Sequence, residues 1–150
     1  MPFTLELPDQ YSLVLLAATS TFFINSLHVQ LTSKYRKTSG LKYPIAYASN
    51  ELAEKDPKAY QFNCAQRAHS NFTENQTSLL GALLISGLRY PVVAAALGAG
   101  WAISRIVYAF GYTGHGPKGR MLGSIGSFLF DTTLKFMAGY VSVMFVLGEQ

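Results

Sequence analysis

Six polar residues recur at steps of three and four along one stretch of the chain: Arg67, Ser70, Asn71, Glu74, Asn75 and Ser78. They run through FNCAQRAHSNFTEN (62–75) into an apolar continuation, TSLLGALLISGL. On a helix of 3.6 residues per turn they share a sector narrower than half the wheel. A second set, Arg105, Tyr108 and Tyr112, is spaced i, i+3, i+7, and the turn TGHGPKGR that follows it ends on Arg120. Arginines such as Arg36, Arg67 and Arg120, with Lys37, suit carboxylates or phosphates; Glu74 suits an ammonium; Asn71 and the tyrosines suit amide or hydroxyl groups. A small zwitterionic peptide with two carboxylates satisfies this set, and a nucleotide or a phospholipid headgroup also suits several arginines. The plainer alternative is an Arg67–Glu74 ion pair that only fixes helix register, with the tyrosines as an aromatic belt.

The elements that must position these residues are set by composition. Of the 150 residues, 49% are hydrophobic and 13% charged, about half the charge content of a soluble domain. Eleven of the charges lie between Lys34 and Glu74. From Gln10 to Ser33 there is no Asp, Glu, Lys or Arg, which matches the ~20 apolar residues of a spanning helix. Glu6 and Asp9 precede that stretch where a signal peptide would be basic, so an uncleaved span is expected. The chain therefore reads as all-α, an integral membrane four-helix bundle in a single domain, with helices over about residues 10–35, 63–88, 91–112 and 121–147. Pro44 and Pro57 punctuate a basic first loop, and Pro91 starts the third segment. Gly87, Gly98, Gly100, Gly123 and Gly126 permit close helix approach.

Lysine and arginine gather in the first loop (Lys34, Arg36, Lys37, Lys42, Lys55, Lys58) and the third (Lys118, Arg120), which the positive-inside rule assigns to the cytosol. A charged stripe entering the membrane marks a functional site, because lipid cannot face it. Asp131 and Lys135, at i, i+4, are expected to pair within their helix, and His28 to be a satisfied packing histidine. One cysteine, Cys64, and three scattered histidines predict no disulfide framework and no metal site. The net charge of +4 comes without a basic, aromatic-interleaved stripe, so no nucleic-acid partner is expected. A channel would need polar groups across the whole bilayer, whereas these gather at one leaflet.

FNCAQRAHSNFTEN, RIVYAFGYTGHGPKGR and the YPIAY after the first helix together resemble the membrane-associated proteins in eicosanoid and glutathione metabolism, in the branch of microsomal glutathione transferases of the third type. The resemblance implies a homotrimer with glutathione as co-substrate, bound between subunits on the cytosolic side. It places Arg36, Lys37, Arg67, His69, Asn71, Glu74, Tyr108 and Tyr112 among the glutathione contacts and makes Arg120 the catalytic residue that holds the thiolate; a gap in the turn makes Lys118 the rival for that role. His69 stands where leukotriene-forming relatives have Gln, and Asn75 where they have Tyr.

Activation of glutathione as thiolate then serves conjugation to a lipophilic electrophile or reduction of a lipid hydroperoxide, with no protein nucleophile, so Cys64 is a bystander. The same resemblance leaves open a leukotriene C synthase and a non-enzymatic lipid-binding scaffold. It implies the endoplasmic reticulum membrane, multi-pass, with the mitochondrial outer membrane as the other location.

Overall fold

The computed structural model describes residues 6–148, and among them the chain is helical, without strands. Five helices follow one another: α1 (Tyr11–Ser39), α2 (Asn50–Lys55), α3 (Pro57–Gly87), α4 (Pro91–Gly119) and α5 (Met121–Val146). Three of them, α1, α4 and α5, are long and apolar enough to cross a membrane. α3 is the longest, at 31 residues, but its polar residues lower its hydropathy. At ~1.5 Å per residue it measures about 46 Å, more than the ~30 Å of a hydrocarbon core.

Sequence periodicity explains the packing. In α1 the buried positions are Val14, Ala17, Ala18, Thr21, Ile24, His28 and Leu31, a single seam at steps of three and four. Leu16 and Phe23, one position off it, are exposed. Apolar residues on both the inner and the outer face identify lipid as the surrounding solvent. α4 packs against α1, α3 and α5, and α3 also meets α1 and α5. The core joins Val14, Ile24, Phe72, Leu83, Trp101 and Leu134, and polar ties cross it, such as Ser86 Oγ donating to the Leu134 carbonyl at 3.1 Å.

Four differences from the expected elements have local causes. α1 runs on to Ser39 and ends where Gly40 takes φ 71. The first loop contains α2, started by Ser49, whose Oγ accepts from Leu52 N at 3.2 Å. α3 starts six residues before 63, at Pro57, because Asp56 Oδ1 caps Lys58 N at 2.9 Å and Pro57 occupies a position that needs no N–H. α4 continues through the expected turn to Gly119, but with a break at Gly116, φ 67 and ψ −156, followed by Pro117. His28 is buried as expected, stacked on His69 at 5.7 Å and tilted against Phe72 at 4.9 Å. Its Nε2 nevertheless has no hydrogen-bond partner, so on that side it is not satisfied.

Candidate functional site

The break in α4 builds the site. Beyond Gly116 the chain turns back, so Gly119 lies against Gly111, and a Cβ on either glycine would collide with the other's carbonyl. α5 then leaves along α4, with Gly123 against the Ser104 and Tyr108 backbone. This return carries Arg120 to the two tyrosines. Its Nη1 donates to the Tyr108 hydroxyl at 3.3 Å, and its guanidinium carbon lies 5.0 Å from the centre of the Tyr112 ring. Arg120, not Lys118, occupies this place. Its hydrogen bond to Tyr108 raises the guanidinium pKa further above its ordinary value, so the group stays charged. The tyrosines meet edge to face at 5.7 Å and form a small cluster with Cys64 and Ala68 on α3.

α3 divides its polar residues between contacts within itself and two neighbouring helices. Arg67 Nη1 donates to Glu74 Oε1 at 3.2 Å, joined by the Ser70 hydroxyl at 3.2 Å. Both partners of the ion pair are half exposed, 49% and 50%, so the pair is accessible to a ligand. Asn71 turns toward α4, where its Oδ1 accepts from Arg105 Nη1 at 2.9 Å. Arginine has no acceptor, so this bond fixes the amide with its carbonyl inward. His69 faces α1 and meets Asn25 Oδ1 at 2.9 Å; it also borders a hollow of about 220 Å³ with Tyr47, Gln66 and Thr73.

Arg36 and Lys37 stand apart from the tyrosine–arginine cluster. They line a hollow of about 320 Å³ with Ser33, Gly40 and Tyr43. Arg36 also shapes the first loop: Nη1 donates to the Ile45 carbonyl at 2.7 Å and the guanidinium stacks on Tyr43 and Phe62 at 4.2 and 4.5 Å. Asn63 and Gln66 pin the same loop through the Ala48 and Ala46 backbone.

Within the chain, then, Tyr108, Tyr112 and Arg120 are together, Arg67 and Glu74 are together, and Arg36, Lys37 and His69 lie on other surfaces. Asp131 and Lys135 pair as expected, Nζ to Oδ2 at 2.5 Å. Among the described residues no group of three His, Cys, Asp or Glu could hold a metal. Arg105 is the residue that sequence reasoning underused: its i, i+3 spacing to Tyr108 was legible, but its bond to Asn71 depends on how α3 and α4 face each other.

The family model described as MAPEG matches residues 14–140. That range covers α3 entirely and α4 with its break, including every one of the residues above. The chain belongs to the MAPEG family.

Proposed function

We propose that this protein is a membrane glutathione transferase and peroxidase of the third microsomal type, working as a homotrimer of four-helix bundles in the endoplasmic reticulum or mitochondrial outer membrane. The observation that carries the reading is Arg120, held by Tyr108 and Tyr112 at the end of α4. A fixed guanidinium in a partly desolvated place favours the charged form of an acid beside it, and lowers a thiol pKa by roughly one to three units. A free thiol of pKa ~8.5 is only a few per cent ionised at neutral pH, so a shift of that size supplies most of the nucleophile.

The dispersal of the remaining candidates supports the trimer. Arg36 and Lys37 line one surface and Arg67 and Glu74 another. A ligand as long as a tripeptide meets both sets when two subunits lie side by side. Arg67, Arg36 and Lys37 then take the carboxylates, Glu74 the ammonium, and Asn71 an acceptor, since its carbonyl is already given to Arg105. His69 would add a further contact from the α1 side. The basic first loop supports a cytosolic position for this end.

Two reactions follow from one thiolate. Attack on an electrophilic carbon forms a C–S bond. Attack on the terminal oxygen of a lipid hydroperoxide breaks the O–O bond, gives the lipid alcohol after protonation, and leaves a glutathione sulfenic acid. A second glutathione condenses with that acid, giving the disulfide and water. The lipid-facing helices deliver either substrate. Leukotriene C synthesis is the narrower form of the first reaction, and a lipid scaffold would need none of the Arg120 geometry.

The test is the ultraviolet difference spectrum of glutathione added to the detergent-purified protein at neutral pH. A thiolate band in the wild type that is missing in Arg120→Ala supports the proposal. Absence of glutathione binding moves the protein to the scaffold class.

A further inference from the structure

A cavity of about 200 Å³ lies between α3, α4 and α5, walled by Asn71, Asn75, Arg105, Ser124, Phe128 and Asp131. Of its walls only Asn71 enters the chemistry above, through its amide nitrogen; the rest of the space is not used there. Arg105 is 3% exposed, and only Nη1 has a hydrogen bond, to Asn71 Oδ1 at 2.9 Å. Nε and Nη2, which form one edge of the guanidinium, have no partner. Across the same cavity Asp131, 8% exposed, gives Oδ2 to Lys135 Nζ at 2.5 Å and leaves Oδ1 without a partner.

The charges decide what belongs there. Asp131 faces the Arg105 charge across the cavity and offsets it only in part, because its Oδ2 is held by Lys135 Nζ. Around that guanidinium pack the Tyr108, Trp101 and Phe72 rings, at 4.3, 5.7 and 5.8 Å, and none of them brings a countercharge. A buried guanidinium inside a membrane protein with two idle donors is costly unless something occupies them. Nε–H and the adjacent Nη–H form a flat fork whose spacing matches the two oxygens of a carboxylate.

We infer that the cavity is a carboxylate-binding subsite, with the free edge of Arg105 as its fork and Asp131 Oδ1 accepting from an accompanying water or ligand hydroxyl. At ~30 Å³ per water the space equals roughly six or seven waters, enough for a carboxylate head and a few of them, and too small for a lipid chain. Phe128, in the cavity wall, is 66% exposed, on a helix whose Ile125 and Leu129 also face outward. The carboxylate comes either as a small free acid or as the head of an amphiphile whose chain lies along α5. This inference stands on its own geometry and does not require the glutathione reading.

The chain carries its own reporter. Trp101 is the single tryptophan, lines the cavity and is 1% exposed. The experiment titrates the full-length protein in neutral detergent with acetate and with dodecanoate, follows Trp101 emission, and uses methyl dodecanoate as the control. A saturable change with a carboxylate, absent with the ester, is expected. Arg105→Gln should weaken it about tenfold or more, and Arg105→Lys should restore part of it, since a point charge replaces only part of a fork. Should Arg105→Gln fail to fold, Ser124→Leu, which fills the cavity and keeps the guanidinium, must abolish the response. Saturation by acetate assigns a free anion; saturation by dodecanoate at far lower concentration assigns an amphiphile head. No response to either acid, an equal response to the ester, or an unchanged response in Ser124→Leu overturns the inference. Thiolate absorbance measured on the same samples keeps the two readings apart, since a missing band there leaves this subsite untouched.

Discussion

Arg120 Nη1 lies 3.3 Å from the hydroxyl of Tyr108, twelve positions earlier in the chain. In an unbroken helix twelve residues span about 18 Å along the axis. The contact exists because the chain breaks at Gly116, where φ is 67 and the next residue is Pro117, and returns with Gly119 on Gly111. Glycine is needed at 116 because L side chains disfavour that backbone region. The candidate catalytic cation is therefore placed by backbone geometry that its own side chain does not determine.

Removing the guanidinium tests its role in turnover. Arg120→Ala should lower kcat by about 10²–10³-fold, the range seen when a charge-stabilising donor is lost, with a much smaller change in glutathione KM. An interaction that strengthens as the thiolate forms acts on kcat. Steady-state kinetics with varied glutathione decide it, and equal losses in affinity and turnover would remove the catalytic assignment.

The pH profile follows from the same contact. Arg120, its pKa raised further by Tyr108, stays protonated from acid to mildly alkaline pH. Activity should thus rise with pH through one ionisation, that of the bound thiol, with a midpoint below the free thiol's. In Arg120→Ala that midpoint should move up toward the free value. A wild-type profile with the free thiol's midpoint contradicts thiol activation.

The fold-back should be sensitive at one glycine and tolerant at a near neighbour. Gly119→Ala places a methyl against the Gly111 carbonyl and should cost ~1–3 kcal/mol, while displacing Arg120 and with it the thiolate band. At Gly114 an added methyl meets nothing within 4 Å, so Gly114→Ala should be neutral or gain up to about 1 kcal/mol from helix propensity. Thermal unfolding in detergent, read beside the thiolate spectrum, separates the two.

Glu74→Gln should raise the glutathione dissociation constant about tenfold, the scale of one hydrogen bond to a charged group. It should leave thermal stability nearly unchanged, because an ion pair half exposed on both sides contributes only ~0–1 kcal/mol. Calorimetric titration gives the affinity. Unchanged binding would reduce Glu74 to the partner of Arg67 in holding helix register.

What the sequence determined alone is what periodicity and solvent dictate. Uncharged runs such as residues 10–33 require a bilayer, the three- and four-residue steps from Arg67 to Ser78 require one polar helical sector, and the i, i+4 spacing of Asp131 and Lys135 brings them into contact. The break at Gly116 was legible as a turn, but the helix resumed after it, since Pro117 can open a helical turn as readily as it ends one. Tertiary structure alone decided which faces meet: Asn71 on Arg105, His69 on Asn25, Arg120 back on Tyr108, and Arg105 with an idle edge in a cavity. Spacing along one helix fixes the angle between its own side chains. The rotation of that helix against its neighbours is set by packing across the whole interface, through contacts such as Gly123 on the Tyr108 backbone, and no local pattern carries that information.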